Sequence, residues 1–264
     1  MFNPHPSIST LPIADGHVCL VIDNALEEPE RWVKLAAENR GSLHFTPHNA
    51  YPGPELRMPD AVSQRLDEFF VKYIRQHLGA RRTLRMYSRL SMVTLAPGAL
   101  QPSRWICHRD RLGAKANECV AASVLYLFKD SDLGGTNFFL ARRPQADIDR
   151  LVDQSASAKP DDFSAIYGIA PGYMTNSNDW FEKVQTVPAR WNRMIFYDGS
   201  LFHCGDIRHP EKLTDDPQTG RLTYNGFFTC KRAASGHEPV AHVVRDSGLL
   251  DSFEVSSSPL TRTT

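Results

Sequence analysis

The chain has no charge of one sign to spare: 30 Lys and Arg stand against 30 Asp and Glu in 264 residues. No net field draws it to nucleic acid or to an anionic membrane surface, and neither partner is expected. It contains no apolar run of about 18 residues, so no membrane span is expected. Residues 1–16 lack the basic-then-apolar order of a secretory signal. Cysteine is scarce and scattered, at Cys19, Cys107, Cys119, Cys204 and Cys230, with no CxxC spacing. That argues against a disulfide framework and a closed structural zinc site, and reads as five reduced thiols in a cytoplasmic protein. Internal repeats are absent too.

What is present is an ordinary globular composition, 41% apolar and 23% charged, long enough to bury one sizeable core. An apolar run at 17–22 reads as a strand. Pro29, Trp32, Leu35 and Ala36 mark a helix reaching about Arg40. Val62, Leu66, Phe69, Phe70, Tyr73 and Ile74 put a broad apolar stripe on a second helix over 59–78, with Gly79 as its stop. From Arg82 onward the texture is β: short runs at 84–95, 103–108, 120–128, 136–141, 194–197 and 222–230 alternate with turn marks such as Pro97-Gly98, Gly134-Gly135 and Asp198-Gly199. The stretch 145–162 reads as a polar connection with a short helix at 146–152, and the end of the chain past 235 carries little pattern. The expected fold is mainly β with N-terminal helices (α+β), a double-stranded β-helix or jelly roll. One domain covers 1–264: a helical N-terminal support at 1–81, a jelly-roll core at 82–232 and a C-terminal extension at 233–264.

Three residues carry the chemistry. Side chains alternate along a strand, so His108 and Asp110 share a face while Arg109 turns away. A distant His203, after the apolar run 194–197, can supply a third ligand. Two imidazoles and a carboxylate with open positions opposite them form the facial triad of non-haem iron sites. Arg221 and Thr223, again two apart, offer a guanidinium fork and a hydroxyl to a carboxylate.

In this order and context the chain resembles the Fe(II)/2-oxoglutarate-dependent dioxygenase superfamily, near its prolyl-hydroxylase-like branch. His108, Asp110 and His203 match the His-x-Asp…His triad, and Arg221 and Thr223 match the Arg-x-Ser/Thr pair. Tyr126-Leu127-Phe128 with Gly134 to Phe139 resembles the middle hairpin, and 188–203 the strand before the last ligand. The spacing from His203 to Arg221 is longer than usual, the excess falling in 208–220. The resemblance implies an oxidoreductase, a hydroxylase, with Fe(II), O2 and 2-oxoglutarate as co-substrate, yielding succinate and CO2. It makes His108, Asp110 and His203 both metal ligands and the catalytic centre, with Arg221, Thr223 and Tyr126 binding the co-substrate. Because Asp110 fills the position that halogenases leave open, oxygen insertion is expected and halogenation is not.

Other residues have two readings each. Tyr126 either offers its hydroxyl to the co-substrate or packs in the core. Tyr87, Arg89 and Ser91 share a face, and Arg89 either meets an anionic substrate or is structural. Asn225 extends the Arg221–Thr223 face. Trp180 and Trp191 either wall a substrate or simply pack. Cys107 and Cys204 flank ligands and read as core residues. His44, His48, His209, His237 and His242 read as solvated loop residues. The stretches 145–162 and 208–220 are candidate lids. Two rival functions are a catalytically silent jelly-roll ligand-binding protein and a cupin-like metalloenzyme that does not use 2-oxoglutarate. A small molecule and a protein side chain are both open as substrates.

Overall fold

The computed structural model describes residues 1–46, 51–110 and 115–233. It is built mainly from antiparallel β-sheet with a few helices. The elements in chain order are β1 (Ile8–Pro12), β2 (Val18–Ile22), α1 (Pro29–Glu38), β3 (Glu55–Arg57), α2 (Asp60–Tyr73), β4 (Ala80–Val93), β5 (Glu118–Tyr126), β6 (Thr136–Ala141), α3 (Gln145–Ser155), α4 (Pro160–Tyr167), β7 (Phe181–Val187), β8 (Met194–Asp198), β9 (Phe202–Gly205) and β10 (Arg221–Arg232). A large sheet has the order β1-β2-β8-β5-β10-β4-β3 and a small one β7-β6-β9. Every pairing in both is antiparallel.

Period-two alternation sorts the side chains into layers. On β2, β8 and β10, Leu20, Ile22, Met194, Phe196, Leu222, Tyr224 and Phe228 face α1 and α2 and form one core with Leu66 and Phe70. Phe70 and Phe228 stack with centroids 4.2 Å apart, and burying each such ring contributes about 1.5–3 kcal/mol. Gly226 lets α2 come this close to β10, since a β-carbon there would lie 2.5 Å from Leu66 Cδ2. The opposite face of the large sheet presents Cys19, Val21, Ala122, Tyr126, Ile195 and Tyr197 to Phe138 of the small sheet. Behind the small sheet, Phe139, Phe181 and Phe202 pack on Ile148 and Leu151 of α3 and Phe163 and Tyr167 of α4.

Several expectations need correction. In the stretch 145–162 the short helix expected at 146–152 is there, longer than expected, as α3, and the rest leads into a second helix, α4, in place of a polar connection. Pro160 opens α4 at its first turn, and Ile148, Leu151 and Ser155 recur at helical spacing to bury one face of α3. The run 103–108 is no strand: Pro102–Arg104 is a 3-10 turn, and His108 alone makes a bridge, to His203. The second helix stops at Tyr73, and Arg75–Leu78 tightens into a 3-10 turn before Gly79. The segment 1–81 supplies three strands to the large sheet as well as its two helices. The C-terminal extension past 233 lies outside the described residues, as do His48, His237 and His242. No helix among the described residues is long and apolar enough to cross a membrane.

Candidate metal centre and its pocket

The inward face of β10 carries Arg221, Thr223, Asn225 and Phe227, all of which line a pocket between the sheets. Their register partners on β4 are Val93, Ser91, Arg89 and Tyr87. A polar stripe thus replaces the apolar alternation at the point where the small sheet diverges from the large one.

His108, Asp110 and His203 meet in this pocket, with one ligand atom from each lying within 4.8 Å of the others. The backbone sets this up. His108 and His203 exchange N–H···O bonds of 3.0 and 2.8 Å, and Asp110 N–H donates to Gly199 O at 2.7 Å. His203 comes from β9 of the small sheet, whereas Gly199 follows β8 of the large one. The imidazole centroids are 4.4 Å apart. His203 Nδ1 bonds the Leu201 carbonyl at 2.9 Å. A carbonyl only accepts, so Nδ1 carries the proton and Nε2 turns its lone pair inward. That Nε2 lies 3.3 Å from Asp110 Oδ2, and His108 Nε2 lies 3.7 Å from Oδ1.

Electrostatics mark the spot as one that wants a cation. Burial works to raise the Asp110 carboxyl, but His203, His108 and Arg89 overcome it and hold it below the ordinary carboxylate range. Burial likewise works to lower His203, and the Asp110 carboxylate reverses that and raises it. Desolvation and the neighbouring His203 push His108 down to about 4. His108 is half exposed, at 49% of its side chain, which tempers the desolvation. The ring stays neutral at pH 7 either way, and the neutral form is the one that ligates. Asp110 Oδ2 is buried without a hydrogen-bond partner, an expensive condition that a bound cation would relieve. The donor set, two imidazoles and one carboxylate, fits a divalent transition metal with open positions.

Arg221 is 4% exposed. Its Nε donates to Leu133 O at 2.8 Å and Gly134 O at 3.2 Å, and Nη2 donates to Gly135 O at 2.9 Å. The side-on edge of the guanidinium is therefore spent on backbone carbonyls. Its end-on edge, Nη1 with the second Nη2 hydrogen, is what the pocket can use. Thr223 Oγ1 donates to Ser91 O at a long 3.4 Å. Tyr126 sits opposite Thr223 in register, but its hydroxyl is paired at 2.8 Å with Thr136 Oγ1, and Thr136 is the one of the two that lines the pocket.

A wider cleft of about 650 Å³ opens outward from this pocket and shares His108, Asp110, Arg89, Arg221 and Phe227 with it. Tyr87 and Arg89 line it; Arg89 pairs with Glu55 at 2.7 Å and lies over the Phe227 ring at 4.7 Å. Cys107 is fully buried as expected of a core residue, but Cys204 is only partly buried and lines the cleft. Its Sγ bonds Met174 O, and burial pushes its thiol up to about 12. Trp180 donates to Tyr167 O and packs behind the small sheet, and Trp191 packs beside the helices; neither lines the pocket or the cleft. His44 bridges Glu55 on β3, and His209 pairs with exposed Glu211. Of the candidate lids, neither 145–162 nor 208–220 contributes a lining residue.

Tyr51 and Glu55 line the cleft without any signal in the sequence. Tyr51 also reaches the inner pocket, where burial raises its phenol against the opposing pull of Arg221. Both lie in a Pro-containing stretch with no periodicity, and β3 is only three residues long.

Fold and site together define an antiparallel β-sheet protein with a candidate two-histidine, one-carboxylate metal centre between its sheets. The chain belongs to the DUF6445 family, described as a family of unknown function, whose profile matches residues 4–228. No curated protein matches it. Among solved structures it is similar to the non-heme alpha ketoglutarate dependent carbocyclase SnoK from nogalamycin biosynthesis, at 13% identity and TM-score 0.43, covering 80% of this chain and 79% of that one. HygX from Streptomyces hygroscopicus, solved with nickel, 2-oxoglutarate and hygromycin B, is 14% identical with TM-score 0.41, covering 81% and 82%. EvdO2 from Micromonospora carbonacea var. aurantiaca is 14% identical with TM-score 0.39, covering 89% and 98%.

Proposed function

We propose that this protein is an Fe(II)/2-oxoglutarate-dependent oxygenase of the jelly-roll type, near the prolyl-hydroxylase-like branch, that hydroxylates its substrate while forming succinate and CO2. The observation that carries the reading is the convergence of His108, Asp110 and His203 around the orphaned Asp110 Oδ2, with buried Arg221 on the wall of the same pocket.

His108 Nε2, His203 Nε2 and Asp110 would hold Fe(II), which when bound supplies the redox chemistry that couples decarboxylation of 2-oxoglutarate to oxidation of the substrate by O2. The Leu201 carbonyl fixes the ring of His203 for this role. Arg221 presents its end-on fork to the far carboxylate of the co-substrate, a charge-assisted contact contributing about 1.5–3 kcal/mol. Thr223 adds its hydroxyl, and Tyr51 stands beside both. Asp110 occupies the carboxylate position, so the reading is oxygen insertion and not halogenation; chlorinated product from the unaltered protein would contradict it. Five free cysteines suit a reducing, cytoplasmic setting.

The test is anaerobic addition of Fe(II) and 2-oxoglutarate to the purified protein. A visible charge-transfer band that appears only with both, and is lost in His203→Ala, is expected. No band and no retained iron would leave a silent ligand-binding protein. A band that needs no 2-oxoglutarate, with activity intact in Thr223→Val, would point to cupin-like chemistry.

A further inference from the structure

The cleft outside the triad has a chemical bias of its own. Among the described residues that line it, five are arginines, Arg57, Arg89, Arg104, Arg109 and Arg221, and only two are carboxylates, Glu55 and Asp110. Of the two carboxylates, Glu55 is engaged by Arg89 at 2.7 Å, and Asp110 lies at the candidate metal centre between the two histidines. Among the described residues the nearest acids to two outer arginines stand off: Arg57 Nη2 is 3.8 Å from Asp60 and Arg109 Nη2 is 3.6 Å from Asp149. Both distances exceed that of a hydrogen bond, and both acids are well exposed.

Three of the guanidinium groups lie over aromatic rings. Arg57 lies 5.5 Å from the Tyr87 ring centroid, Arg89 4.7 Å from that of Phe227, and Arg109 4.4 Å from that of Phe202. A guanidinium over a ring face keeps N–H groups for an anion. The volume, about 650 Å³, falls within the roughly 300–1,000 Å³ that encloses a small molecule. Walls of tyrosine and phenylalanine give that molecule an apolar body to match.

We infer that the cleft binds a small organic anion, an aromatic or apolar body bearing a carboxylate or phosphate, with Arg57 and Arg109 receiving the charged group. Calling this anion the substrate rests on the oxygenase reading; the anion site itself does not. A protein side chain is the substrate class it disfavours.

The experiment uses benzoate, phenyl phosphate and neutral benzamide as probes. Each is titrated by ligand-observed NMR onto the purified protein, both alone and under anaerobic Fe(II) with excess 2-oxoglutarate to occupy Arg221. At least one anion is expected to bind about tenfold more tightly than benzamide, with affinity falling as salt is raised. The tighter of the two anions names the charged group. Arg57→Gln and Arg109→Gln should each weaken that anion roughly fivefold, the discount for exposed charges included. Benzamide binding as tightly as both anions would overturn the inference, and so would unchanged anion affinity in both folded variants. The charge-transfer band reads the oxygenase separately. Anion binding without the band supports the cleft assignment alone, and the band without anion binding overturns only the cleft.

Discussion

Truncating Arg221 to alanine should damage the fold as well as the pocket. The guanidinium ties β10 to the Leu133–Gly135 turn through two N–H groups and three carbonyls at 2.8, 3.2 and 2.9 Å, in a setting only 4% exposed. Charge-assisted bonds contribute about 1.5–3 kcal/mol each, and water entering the vacated space recovers part of that, leaving a loss of about 2–4 kcal/mol. For a chain of this length each kcal/mol moves the unfolding temperature by about 2–4 °C, so a fall of roughly 8 °C is expected in scanning calorimetry. Arg221→Lys keeps the charge but not the fork and should recover little of it. Thr223→Val removes a hydroxyl that makes a long bond to Ser91 O and also meets the buried Tyr51 phenol; it should lower the midpoint far less than Arg221→Ala does while, on the proposed reading, weakening 2-oxoglutarate. A midpoint for Arg221→Ala within about 1 °C of the parent would refute the reasoning, because it would mean water replaces these bonds at no cost.

Asp110→Asn and His203→Ala should each weaken divalent-metal binding about 100-fold or more, measured by competition with a chromogenic chelator; unchanged affinity would place the metal elsewhere. Gly135→Ala should cost about 3 kcal/mol or more, read from the urea midpoint, because the new β-carbon would overlap the Val187 carbonyl. The bidentate pair of Asp23 with Arg193, at 2.6 and 2.9 Å, holds the Asp23 carboxyl below its ordinary value. A depressed carboxylate contributes stability above its unfolded value of about 3.9 and loses it as pH falls through the lower folded value. Asp23→Asn should therefore flatten the acid limb of stability against pH below about 4 while lowering stability at pH 7; a parallel shift at every pH would contradict the assignment.

The β10 stripe Arg221, Thr223, Asn225 and Phe227 was legible because period-two alternation survives intact along a long strand. The His108–Asp110 pair was legible for a partly different reason than alternation alone: the segment before it is a 3-10 turn, and a single bridge to His203 does the work expected of a full strand. Tyr51 and Glu55 were not legible, since no periodicity marks a three-residue edge strand and its approach. The helix α3 was legible over 146–152, but its full extent and the whole of α4 were not, because exposed Asp, Gln and Ser outnumber the few residues, Ile148, Leu151 and Phe163, that bury one face. The side-on engagement of Arg221 depends on a turn 86–88 residues away in the chain, which no local pattern encodes.

The ligands are divided between the two sheets, His203 from β9 and Asp110 anchored beside β8. An ion bound there would act as a rivet, and its affinity and the docking of the sheets would be one linked equilibrium. Free metal at about a hundredfold over its dissociation constant would add about 2.7 kcal/mol to the folded state. Melting temperature should then climb with the logarithm of metal concentration, and chelators should make the protein a better protease substrate without touching a single peptide bond near the site.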